Sequence, residues 1–298
     1  MLESWHIPMD ILRLLCTTMT IIIALICLIL IISHRECRTV PMMLIGNTCL
    51  TELICACTAL SFVVFTLTND LKQIQYEDSL CMFRAYINYA ITVVQNHSYN
   101  LQALYRYMTV VYPSRRFWQL RKFQVLLIVL TWIFGFIVFL PFLFTGYIIY
   151  NAENQICQAP IRPSFAIFYI AFVLYMIPNM ILNIIYLKLV RFVRQMNRRV
   201  VSVGVVSRAE RELKMVKNIV TITTILIVLG LPYAIFILMS IFTTIPKYHF
   251  RIAFIFVDIS TTAVMIGLFT TTDPIVTAAK GILNSLWSSR QIESDVIG

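Results

Sequence analysis

Seven apolar stretches fill this chain almost end to end and leave only short polar connections. They run near Ile11–Ile32, Met42–Leu67, Cys81–Val111, Val125–Tyr147, Phe165–Val190, Val216–Phe242 and Ile252–Val276. A spanning helix needs about 20 predominantly apolar residues. Inside hydrocarbon the backbone must satisfy its own hydrogen bonds, which for stretches like these means helices. The expectation is an all-α membrane protein, a bundle of seven transmembrane helices.

The composition agrees: 59% of residues are hydrophobic and only 13% are charged, outside the range of ordinary soluble domains. With seven spans in 298 residues, no room remains for a second domain. The chain divides into a bundle over residues 1–280 and a short tail over 281–298. Met1–Asp10 lacks a basic start and a small-residue cleavage site, so the first span reads as a retained signal anchor.

The net charge of +10 would suit a nucleic-acid binder, but its placement argues otherwise. Of the 24 Lys and Arg, 17 fall in or beside the connections on one side of the bundle. This bias predicts the N-terminus outside and the C-terminus in the cytoplasm. Five of the eight cysteines (Cys16, Cys27, Cys49, Cys55 and Cys57) lie within spans, where a thiol is a small apolar group. Cys37 faces the cytosol. Cys81 and Cys157 are the two on the oxidising side, where a disulfide between them would tie the outer loop to the bundle.

The third span opens with Cys81 and ends in Tyr105-Arg106-Tyr107, the arginine 25 residues after the cysteine. This resembles the rhodopsin-like G-protein-coupled receptors, whose third helix joins a disulfide cysteine to an Asp/Glu-Arg-Tyr triplet at that separation. Other spans match at single landmarks. Asn47-Thr48-Cys49-Leu50-Thr51-Glu52-Leu53 in the second is similar to the family's Asn-Leu-Ala-x-x-Asp-Leu, with Glu52 in the aspartate's place. Trp132 and Pro141 mark the fourth, Pro178 and Tyr186 the fifth, Pro232 the sixth, and Asp273-Pro274 the seventh. The landmarks span essentially the whole chain in the family's order.

The departures are equally specific. Tyr105 replaces the acid before Arg106, and Gly230 replaces the tryptophan of the sixth-helix Cys-Trp-x-Pro. Asp273 and Thr277 replace the asparagine and tyrosine of Asn-Pro-x-x-Tyr. The resemblance implies a divergent receptor that turns an extracellular ligand into G-protein activation at the plasma membrane. It implies no enzymatic chemistry and no cofactor beyond a sodium ion.

For the switch, the resemblance implies Arg106, Tyr107, Tyr186, Pro232, Asp273 and Pro274, with Glu212 as the acid opposite Arg106. Glu212 lies 20 residues before Pro232. A guanidinium and a carboxylate meeting there form a charge-assisted pair that bridges the third and sixth helices at rest. The prolines remove backbone donors and so kink or hinge their helices. Glu52 and Asp273 are expected near each other, with Gln95 beside them, in a polar pocket that the resemblance assigns to sodium. Two carboxylates in low dielectric do not both stay ionised without a cation, so a shared proton, a bound cation or two protonated acids are the alternatives.

For the ligand, Arg84, Asn88, Tyr89 and Asp258 are polar groups in the outer halves of the spans. Asn88 stands where amine receptors keep an aspartate, which disfavours a monoamine. The seventh span contains no lysine, so no Schiff base to retinal can form. Arg84 could hold a carboxylate and Asp258 a basic group, which together would suit a short peptide; alternatively the two balance each other. On the inner side, basic and apolar residues alternate through Leu187–Arg194 and Ala209–Lys214. That pattern suits a G-protein groove or anionic headgroups, and Ala278–Leu286 reads as a short interfacial eighth helix. The competing class is a seven-helix transporter or ion-translocating protein using Glu52 and Asp273. It lacks the internal repeats such folds often carry.

Overall fold

The computed structural model describes residues 6–74, 76–197 and 203–282. Long helices dominate: α1 (His6–Ser33), α2 (Val40–Lys72), α3 (Cys81–Val111) and α4 (Arg121–Phe144) come first. The fifth span is one rod made of α5 (Phe165–Ala171), a π-helical turn (Phe172–Met176) and α6 (Ile177–Asn197). Next come α7 (Val203–Phe242) and α8 (His249–Thr271). The backbone breaks at Thr272 and is helical again over residues 273–282. The helix expected to run on to Leu286 therefore lies partly outside the described residues, as does most of the 281–298 tail.

The rods close into a ring in which α1 packs on α2 and α8, and α7 on α6 and α8. α3 runs through the middle, touching α2, α4, α6 and α7. Among the described residues five helical segments are long and apolar enough to cross a membrane: Ile7–Ser33, Val40–Lys72, Arg121–Phe144, Phe165–Met196 and His249–Thr271. α3 is not among them, although the sequence reading made it a span. Its central position explains this: Gln95, Ser98, Asn100, Gln102 and Arg106 are buried in protein, and lipid does not select for apolarity there. From α7 the apolar stretch Gly230–Phe242 is shorter. Lipid-facing residues such as Leu15, Ile29, Ile137 and Met180 remain exposed on the outside of the ring.

Lipid tails are as apolar as leucine, so helix association in a membrane relies on close packing and polar contacts. Both are visible between α3 and α4. A Cβ placed on Gly135 would lie 2.5 Å from Val94 Cγ2 and 2.9 Å from the backbone oxygen of Ala90. Gly135→Leu is therefore expected to lower the melting temperature of the purified protein, through an overpacking penalty of about 1–3 kcal/mol. An unchanged melting temperature would contradict this close approach.

The connection after α4 holds a feature the sequence reading missed, an antiparallel hairpin of β1 (Ile149–Asn151) and β2 (Ile156–Gln158). Its turn places Gln155 at φ 56°, and the Asn151 side chain accepts the Asn154 N–H at 3.0 Å, a turn-stabilising bond typical of asparagine. A disulfide joins Cys157 on β2 to Cys81 at the start of α3. The hairpin is thereby held over one end of the bundle.

Candidate functional site

Beneath the hairpin a cavity opens between α1, α2, α3, the fifth span, α7 and α8. It offers about 110 Å³ to the centre of a water-sized sphere, several times what one water needs. Asn88, Tyr89 and Asp258, three of the four expected ligand residues, line it, and Arg84 does not. Arg84 instead forms an ion pair with Asp78 and lies 5.2 Å from the centre of the Phe65 ring. Asp258 is taken too: Arg13 Nε donates to its Oδ2 at 2.7 Å.

The expected balancing of Arg84 and Asp258 against each other is therefore corrected. Each charge has a nearer partner that cancels it. Arg13 was not singled out in the sequence, yet an arginine three residues after Asp10 inside an apolar run is a signal of its own.

Arg13 belongs to a larger buried network. Its Nη1 lies 3.8 Å from Asp10, whose carboxylate is 3.4 Å from Arg251 Nη1. Arg251 grips Asp70 with both terminal nitrogens, and Gln155 of the hairpin turn donates to Asp70 at 2.8 Å. The Arg251 backbone N–H in turn donates to Asn154. Two arginines and three aspartates thus join α1, α2, α8 and the hairpin, all five nearly excluded from solvent.

Deeper in the bundle, Glu52 is fully buried on α2. Its Oε1 accepts from Gln95 Nε2 and from the Tyr99 hydroxyl, both at 2.6 Å. Gln95 thus sits beside Glu52, as expected, but Asp273 does not. Asp273 is exposed, just past the break at Thr272, and no hydrogen bond or ion pair joins it to Glu52 among the described residues. The paired-acid pocket is corrected to a single carboxylate held by two donors, of which Tyr99 went unnoticed. Among the described residues no group of three or more His, Cys, Asp or Glu is arranged to hold a metal ion.

Further polar contacts tie the helices around this point. Thr48 meets Ser98 at 2.9 Å and accepts from Gln102 at 2.6 Å, and Trp132 Nε1 donates to Asn47 at 2.9 Å.

The proline of the fifth span has an identifiable local effect. Pro178 has no N–H for the carbonyl of Leu174, four residues earlier, and a π-helical turn sits beside it. Asn96 on α3 donates its side-chain amide to that carbonyl at 2.8 Å, so the freed acceptor is satisfied across the bundle. His97, next to it, bonds Val93 O at 3.0 Å and packs on Phe134. Pro232 lies inside α7 and Pro274 just after the break at Thr272.

At the opposite end from the cavity, Arg106 Nη1 donates to Glu212 Oε2 at 2.8 Å. Both side chains are largely buried, at 7% and 13% exposure, and the bond joins α3 to α7. The two residues the sequence placed opposite one another are therefore in contact. Tyr107 and Tyr186 pack around an apolar cluster of Tyr99, Leu182, Leu189 and Val216 that underlies this pair.

The comparisons agree with this architecture. The family model described as 7 transmembrane receptor (rhodopsin family) matches residues 23–276. A comparison with curated proteins finds no match. The model covers most of the chain and reaches from α1 into the helix after Thr272, so this multi-pass membrane protein, a receptor and not an enzyme, belongs to the rhodopsin family of seven-transmembrane receptors.

Proposed function

We propose that the protein binds an extracellular ligand in the cavity beneath the hairpin and relays its presence to a heterotrimeric G protein in the cytoplasm. In this reading the hairpin faces outside, the Arg106 end faces inside, and the receptor works in the plasma membrane. One observation carries it: the Arg106–Glu212 bond of 2.8 Å between α3 and α7, at the end remote from the cavity. Such a bond restrains the relative movement of two rods. Its rupture would free the lower half of α7, below Pro232, to move away from α3. That opens a cleft edged by the basic, partly apolar end of α6, where Lys188, Arg191 and Arg194 lie. Tyr107 and Tyr186, packed on the cluster under the pair, are placed to follow that movement.

Two finer expectations lose their footing. A short peptide clasped by Arg84 and Asp258 would have to displace Asp78 from the first and Arg13 from the second. A sodium ion or translocated proton shared by Glu52 and Asp273 would require residues that do not meet. The ion-translocating alternative rests on that same pair.

The test is guanine-nucleotide exchange in membranes that contain the protein and one G-protein class at a time. Exchange above the level of Arg106→Ala, with no accompanying ion current, is the expected result. Equal exchange by both proteins across all G-protein classes would reject the reading.

A further inference from the structure

We infer that the cavity takes a neutral ligand with an indole-sized aromatic end, seated in the open space at Gly230, and a hydrogen-bond acceptor that reaches Gln158. This deepens the reading of the cavity as the ligand site and rests on it. Gly230 lines the cavity from α7, and a Cβ built there has no atom within 4 Å. The absence of a side chain leaves a recess that the described side chains do not fill. The cavity onto which it opens is lined by Tyr175, Tyr233, Phe254, Leu174 and Val257 among others. Such surroundings suit an uncharged ring, because aromatic faces and edges pack on one another and apolar cavities accept apolar guests.

The polar end of the site is set by Gln158. The Tyr89 oxygen accepts the backbone N–H of Ala159 at 3.2 Å, and its own proton goes to the Gln158 carbonyl oxygen. The Gln158 side-chain nitrogen is then left as a donor with no partner among the described residues, on a residue only 3% exposed at the cavity wall. A buried donor of this kind favours a ligand acceptor, since leaving it unmet is costly.

Charge selection follows from what is already paired. Asp258 is the carboxylate on the wall and Arg13 the guanidinium, and they neutralise each other at 2.7 Å. A charged ligand would lose its hydration without gaining a free counter-ion, whereas a neutral one avoids that cost.

The probes are indole, tryptophol, tryptamine and indole-3-acetate, which share one ring and differ in charge and polar end. Thermal melting of the purified, detergent-solubilised protein reads their binding without any G protein, so failure of signalling and failure of this site are separable. Indole and tryptophol are expected to raise the melting temperature saturably, tryptophol with the higher affinity. Tryptamine and indole-3-acetate are expected to bind at least about tenfold more weakly. Gly230→Trp, which fills the recess, should abolish the shift, and Arg84→Ala, outside the cavity, should retain it.

If Gly230→Trp does not fold, Gly230→Ala and Gly230→Leu replace it, with affinity expected to fall as side-chain size rises. A shift that is absent in the wild type, or equal in the wild type and all Gly230 variants, overturns the site. Tighter binding by either charged analogue overturns its neutrality. Equal affinities for indole and tryptophol overturn the role of Gln158.

Discussion

Glu212→Ala is expected to raise ligand-independent G-protein activation about tenfold over the wild type at matched surface levels, while Arg106→Ala, which breaks the same bond but also removes the guanidinium that would face a G protein in the opened cleft, should abolish it. A hydrogen bond to a charged group contributes about 1.5–3 kcal/mol, and this one is largely shielded from water at both ends. Its loss on opening is part of what holds the resting state. About 1.4 kcal/mol of differential stability corresponds to tenfold in the equilibrium between resting and open bundles. The Tyr105 position sharpens the expectation. A tyrosine supplies no neighbouring carboxylate, so the restraint on Arg106 shifts toward Glu212. Glu212→Gln keeps the shape and a weaker bond, and should give an intermediate basal level. Basal activation unchanged by Glu212→Ala, with surface expression matched, would remove the bond from any account of the switch.

Arg251→Ala is expected to be the most damaging single substitution at the other end. Arg251 is 4% exposed and faces Asp70 and Asp10, which are equally buried. Removing it leaves two carboxylates in a poorly solvated interior without that partner, and breaking a buried pair from one side costs about 3–5 kcal/mol. Surface expression should fall severely, and any purified protein should melt well below the wild type. Arg251→Lys should recover only part of the loss, because an ammonium cannot reproduce the two-pronged grip on Asp70.

The decisive control is the double substitution Arg251→Met with Asp70→Asn, which removes charge from both sides. It should express better than Arg251→Ala. If it is as poor as the single variant, the damage comes from lost packing and not from a stranded charge.

Much of this architecture is legible in the chain because a bilayer permits few solutions. Long apolar runs must become helices, and each of the seven expected spans begins or ends within a few residues of an observed rod. The largest departure at one end is α7, which begins at Val203 while its expected apolar stretch begins at Val216. The extra turns lie where basic residues make the chain polar, beyond the reach of an apolarity argument. α3 illustrates the converse, since its polar residues mark a helix surrounded by other helices. The hairpin left no periodic signal, because strands of three residues are too short to show one.

The Arg106–Glu212 contact was implied by the resemblance, which puts an acid opposite this arginine, and it is met where the C-terminal end of α3 lies beside the N-terminal half of α7. The pairings that failed depended on which way side chains turn across the bundle. Asp273 follows the break at Thr272 and is exposed, and Arg84 reaches Asp78 in the connection just before its own helix. Glu52 found Tyr99 and Gln95, one turn apart on the facing helix, where either reads as an ordinary packed polar residue.

The sequence by itself determined that this chain lives in a membrane, that it crosses as helices, and that it belongs with the seven-transmembrane receptors. Length, apolarity and a handful of fixed landmarks carry that information locally. The tertiary structure alone decided which charges cancel, that Arg13 and not Arg84 answers Asp258, and that Gly230 leaves a recess rather than a mere gap in a motif. Those outcomes depend on distances between residues as many as 245 positions apart, and only the closed ring of helices sets them.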